Sequence, residues 1–134
     1  MLAKTITYTD YEGTERKETF YFNLNESELI EMQVSATGGL TKYIEKIIES
    51  KDGGKIMAVF KELLFKSYGE KSADGRRFVK SEELSKAFSQ TEAYNKLFME
   101  LCTDDKAAAA FVNGLLPSNL TAAAKPTLAP APLS

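Results

Sequence analysis

The sequence predicts a mainly α (α+β) fold: an N-terminal β-hairpin, about six short amphipathic helices, and a disordered Ala/Pro-rich C-terminal tail. Three observations carry this reading. Residues 4–24 alternate apolar and polar side chains with period two around a turn signal. Residues 25–117 space their apolar side chains three and four apart, in runs separated by capping and breaking residues. After residue 117 the composition shifts to Ala and Pro. The expected organisation is one globular domain over 1–117, with the hairpin at 4–24 and the helical part at 25–117, followed by a flexible tail over 118–134.

In the hairpin, Ile6 and Tyr8 alternate with Thr5, Thr7 and Thr9, and Phe20, Phe22 and Leu24 with Thr19, Tyr21 and Asn23. Such β-branched and aromatic alternation fits strands buried on one face, and Asp10-Tyr11-Glu12-Gly13 supplies the turn. Two strands alone are marginal in water, so the hairpin must pack on the helices or on another subunit.

Asn25 with Glu28 three residues on forms a capping box for the first helix, and Leu24 with Leu29 a hydrophobic staple. Thr37-Gly38-Gly39 breaks this helix after Ser35. The second helix lines up Leu40, Tyr43, Ile44, Ile47 and Ile48; a turn at Ser50–Gly54 follows, with Asp52 as cap. The third carries Ile56, Met57, Phe60, Leu63, Leu64 and Ser67 or Tyr68 along one stripe. Residues 69–80 are the least periodic part and read as a loop turning at Asp74-Gly75, anchored by Phe78 and Val79. Ser81 caps the fourth helix, Thr91 the fifth and Thr103 or Asp104 the sixth, which Asn113-Gly114 and Pro117 close. The tail holds three of the four prolines, five alanines and one charge, Lys125; it cannot bury enough apolar area to offset its ordering entropy.

Composition narrows the chemistry. The chain has 134 residues, 17 Lys+Arg against 19 Asp+Glu, no His and one Cys. His-based triads, Cys/His zinc sites and an internal disulfide are therefore excluded. A formal charge of −2 gives no general pull toward nucleic acid or anionic membrane. No stretch approaches the ~20 apolar residues of a membrane helix, and the N-terminus has no secretory apolar region. A reducing, cytoplasmic setting follows, with Cys102 as a small buried hydrophobe.

The candidate motifs each have a structural explanation. Ser50–Lys55 lacks the spacing and the preceding strand of a phosphate loop and reads as an interhelical turn. Glu82-Glu83 and Asp104-Asp105 fall in first helical turns, where negative charge complements the helix dipole. Asp74-Gly75 lacks the ligand spacing of a calcium loop. Arg76-Arg77 with Lys71, Phe78 and Lys80 is the one basic, aromatic-containing cluster, but Glu70, Asp74, Glu82 and Glu83 flank it, favouring a solvated loop or a protein contact. Tyr11, Tyr21 and Tyr68 are expected to be partly exposed, as amphipathic rings at interfaces are. No enzyme constellation, cofactor or metal is expected.

The run Tyr68–Ser81 (YGEKSADGRRFVKS), continued by Phe88–Tyr94 and Leu97–Leu101, resembles the tail assembly chaperone family of long-tailed, non-contractile bacteriophages (siphophage type). Tyr8–Gly13, Phe20–Leu24 and Phe111–Pro117 share the resemblance, which spans most of residues 4–117 and leaves the tail outside. It implies a non-enzymatic protein that binds the phage tape measure protein and keeps it soluble while tail tube proteins polymerise around it. It also implies the cytoplasm of the infected bacterial host, and absence from the mature virion. The residues are compatible with what the resemblance implies, since holding a long amphipathic chain needs an apolar face or groove and no chemistry. Repeated binding along such a partner favours a homo-oligomer, for which a hairpin edge offers one pairing surface. Tyr68, Arg76, Arg77, Phe78 and Tyr94 are the partner-binding candidates. No nucleic-acid or membrane partner is expected. Two alternatives stay open at this point: a phage structural or head–tail connector protein, and a small nucleic-acid-binding regulator using Arg76 and Arg77.

Overall fold

A computed structural model describes residues 1–31 and 39–115. In chain order they form β1 (Leu2–Thr9), β2 (Glu15–Phe22), α1 (Glu26–Glu31), α2 (Gly39–Ser50), α3 (Gly53–Ser67), β3 (Tyr68–Lys71), β4 (Phe78–Val79), α4 (Glu82–Ser89), α5 (Glu92–Thr103) and α6 (Asp105–Leu115). The expected mainly α arrangement, a lone hairpin followed only by helices, is corrected by the two strands between α3 and α4. All four strands join one antiparallel sheet in the order β1-β2-β3-β4, so the fold is α+β. The segment read as a loop over 69–80 is mostly this second hairpin. Its strands are too short to show alternation, and it becomes a hairpin only because β2 offers Gly69 a neighbour at Tyr21. The tail over 118–134, the end of the first helix at Ser35 and the Leu24–Leu29 staple lie outside the described residues or side chains.

The first hairpin pairs without interruption from Leu2↔Phe22 to Thr9↔Glu15. Its turn is closed by Asp10 N–H donating to Thr14 O (2.9 Å) and Gly13 N–H to Asp10 O (3.0 Å). Gly13 adopts φ +84°, which the turn demands and a side chain would resist. The Asp10 carboxylate accepts from the Glu12 and Thr14 amides, each at 2.9 Å, and from Arg16. Arg16 and these amides hold Asp10 below the usual carboxylate range. On one face Ile6, Tyr8 and Phe22 are buried, with Leu2 and Phe20 packed against them. On the other the hydroxyls of Thr5 and Thr19 sit 2.8 Å apart across the strands.

The helices begin where the side-chain chemistry places their caps. Asn25 Oδ1 accepts from Glu28 N–H at 2.9 Å and Glu28 Oε1 from Asn25 N–H at 3.0 Å, a complete capping box. Asp52, Ser81 and Thr91 accept from the amides of Lys55, Leu84 and Tyr94. Of the two candidates for α6, Asp104 caps it, accepting from Lys106 and Ala107 N–H. The α3 stripe shifts by one side: Val59 is buried while Met57 is 53% exposed.

One core lies between the inner sheet face and the helices. Phe22, Phe60, Leu63, Leu97, Val112 and Leu115 are its largest closed-off side chains, with Leu24 and Leu64. Helix α5 runs along β1, where Lys96 Nζ donates to Thr7 O at 2.7 Å and Lys4 meets Glu100 at 3.4 Å. Gly114 of α6 leaves room for the Leu2 side chain. Among the described residues no helix is long and apolar enough to cross a membrane.

Candidate partner-binding surface

The five residues singled out from sequence fall into two groups. Tyr68 and Tyr94 are core residues, each 8% exposed, and Phe88 joins them. Tyr68 stacks on Phe88 with centroids 4.3 Å apart and planes within 8°, while Tyr94 meets Phe88 edge-on at 5.6 Å. Phe20 and Phe22 close the cluster at 5.1 and 5.8 Å from Phe88. Burial of Tyr68 departs from its expected part-exposure; Tyr11 is 73% exposed and Tyr21 half-buried. Tyr68 is buried because it leads β3, directly opposite Phe22 on the inner sheet face. Burial, reinforced by the Glu70 carboxylate and its hydrogen bond, pushes the Tyr68 phenol up to about 12.

Arg76, Arg77 and Phe78 sit on the other side of β3. Phe78 is half-buried on β4 opposite Lys71, its ring lying over Gly69. Gly69 has no room for a side chain: a Cβ would stand 2.6 Å from the Phe78 ring and 2.7 Å from Val79 O. The two arginines are exposed on the connecting turn, and neither makes an ion pair with a described residue.

That turn is tightly specified. Ser72 N–H donates to Arg77 O and Gly75 N–H to Ser72 O, both at 2.9 Å. Asp74 Oδ1 accepts from Ser72 Oγ (2.7 Å) and Arg76 N–H (3.0 Å), and Ser72 Oγ from Arg77 N–H (3.0 Å). Gly75 takes φ +74° to close it. The bonds from the Arg76 amide and Ser72 lower the Asp74 carboxyl below its usual range. Two guanidinium groups are thus presented from a preorganised backbone, a chemistry suited to bidentate contact with carboxylates.

Sequence reading missed the cleft beside this turn, because it left residues 69–80 without a strand partner. Strands β2 and β3 pair only at Tyr21↔Gly69 and Phe22↔Tyr68, then part. Between them opens a cleft of about 490 Å³ walled by Glu18–Tyr21 and Tyr68–Lys71. The inner face of the cleft carries Glu18, which accepts from Tyr8 Oη, and Glu70. On the outer face Lys71 Nζ lies 4.2 Å from the Tyr21 ring centroid.

A second cleft, of about 410 Å³ between α3 and α4, is organised around Lys80. Its Nζ donates to Asn23 O (2.8 Å) and Lys66 O (2.9 Å) and meets the Glu28 carboxylate. The group ties β2, the end of α3 and the α1 capping box together. The carboxylate pairs take their places at helix starts: Glu82 and Glu83 open α4, and Asp104 caps α6 ahead of Asp105. Cys102 is half-buried, and burial pushes its thiol up.

A family model described as phage tail assembly chaperone matches residues 1–131. That match carries past Pro117, where the resemblance read from the sequence stops, and takes in most of the Ala/Pro-rich tail. No curated protein and no solved structure matches the chain. With nearly its whole length accounted for, the chain belongs to the phage tail assembly chaperone family.

Proposed function

We propose that the chain binds the phage tape measure protein and keeps it in solution while the tail tube assembles around it. The observation that carries this reading is the match to the chaperone family over residues 1–131. The role is non-enzymatic, performed in the cytoplasm of the infected host. The tail tube protein is a further partner, the chain works as a homo-oligomer, and it is absent from the finished virion. Within the fold, the β3–β4 turn supports the reading: Arg76, Arg77 and Phe78 form the contact surface on a turn held by Ser72 and Asp74, while Tyr68 and Tyr94 pack with Phe88 in the core beneath the sheet.

Co-expression tests it. The tape measure protein should stay soluble and co-purify only when this chain is present. Arg76→Ala with Arg77→Ala should weaken the complex by about tenfold or more, since charged hydrogen bonds contribute roughly 1.5–3 kcal/mol. A tape measure protein that is equally soluble without the chain overturns the proposal. A double variant that binds as well as wild type removes the turn from it.

A further inference from the structure

We propose that the open edge of β2 is a self-association surface, on which β2 of a second copy adds antiparallel with Lys17 opposite Lys17. The inference rests on the homo-oligomer reading above and names its surface and register.

The backbone directions on β2 are fixed from both ends. The Asp10 N–H to Thr14 O bond continues the ladder with β1, so even-numbered residues of β2 turn their amides toward β1. At the other end Asn23 N–H donates to Ser67 O at 2.8 Å and Tyr21 pairs with Gly69, so odd-numbered residues turn theirs toward β3. Strand β3 reaches only Tyr21 and Phe22. Glu15, Lys17 and Thr19 therefore present N–H and C=O groups on an edge that no described strand covers, and all three are exposed. Such an edge is a template for another strand.

The side chains select which strand fits. Arg16 and Glu18 point to the inner face, Glu15, Lys17 and Thr19 to the outer one. A strand entering antiparallel would meet carboxylates on the inside, from Glu18 and Glu70, and ammonium groups on the outside, from Lys17 and Lys71. It should carry a basic residue inward and an acidic one outward. Strand β2 carries both, Arg16 inward and Glu15 outward. With Lys17 opposite Lys17, Arg16 of each copy, which pairs with Asp10 and Glu18 of its own chain, lies across from Glu18 of the other and joins the two pairs into one network, and Glu15 lies across from Thr19. The surface is then self-complementary, as a two-fold interface requires.

The facing lysines are the like-charge cost of this register, and they give it a two-signed test. Sedimentation equilibrium of the full chain should show concentration-dependent dimers. Lys17→Pro removes an edge N–H that β1 does not use and should weaken association by at least about tenfold, with thermal unfolding confirming that the variant is folded. Lys17→Thr keeps the N–H, removes the repulsion and should strengthen association by about two- to threefold. Association that persists unchanged in Lys17→Pro, or that weakens in Lys17→Thr, overturns the edge while leaving self-association standing. A wild-type chain that stays monomeric overturns both.

Discussion

Gly69→Ala is the sharpest test of the second hairpin. The new methyl carbon would meet Phe78 Cε2 at 2.6 Å, Val79 O at 2.7 Å and Lys80 Cγ at 2.8 Å. The phenyl ring and the lysine stem can swing aside, but the Val79 carbonyl is backbone. Restoring an ordinary contact of about 3.5 Å requires β4 to retreat by roughly 0.8 Å. Strand β4 is only two residues long, so the retreat costs it the Glu70↔Val79 rung and shifts Lys80 away from Asn23 O and Lys66 O. Overpacking of this kind costs about 2 kcal/mol, which for a chain of this size lowers Tm by roughly 6–10 °C. Thermal and urea unfolding measure the loss, and amide exchange at Glu70 and Val79 localises it. Gly53→Ala is the control, since nothing stands within 4 Å of its Cβ position and its φ is unexceptional. If Gly69→Ala unfolds at the wild-type midpoint with both amides still protected, β4 does not lie on β3 as described.

Phe88→Ala removes the ring shared by Phe20, Phe22, Tyr68 and Tyr94, and should cost about 3–5 kcal/mol by denaturant unfolding; a loss below about 1 kcal/mol would contradict the cluster. Lys80→Met keeps the apolar stem but strands two carbonyls and the Glu28 carboxylate, and should destabilise by about 1–3 kcal/mol in the same assay. The Tyr68 phenol titrates near 12 in the folded chain and near 10 when unfolded, so the folded state holds its proton more tightly. Its contribution to stability is complete below about pH 10 and is lost as pH rises through 12; unfolding midpoints of wild type should therefore fall more steeply across that window than those of Tyr68→Phe.

Much of the fold is written locally. Strand alternation at 5–9 and 19–23, the Asn25–Glu28 capping box and the caps at Asp52, Ser81 and Thr91 each depend on residues within a few positions of one another, so they are legible without knowing what packs where. The second hairpin is not local. Its strands are four and two residues long, and what makes them strands is a neighbour at Tyr21, far away in sequence. The partner-binding candidates divide along the same line. Arg76 and Arg77 could be placed on an exposed turn from Asp74-Gly75 alone, whereas Tyr68 looked surface-bound until Phe22 and Phe88 closed over it.

By itself the sequence determined the starts of α1, α3, α4 and α5, the first hairpin, most of the amphipathic stripes and an inventory empty of His chemistry, because each follows from short-range periodicity, capping or composition. Only the tertiary structure decided that the sheet has four strands rather than two, that Tyr68 and Tyr94 flank one buried ring, and that β2 keeps half of an edge open. Those outcomes depend on which strand meets which, and strand pairing is settled by backbone hydrogen bonds and close approaches, such as Phe78 over Gly69, between residues that no local pattern connects.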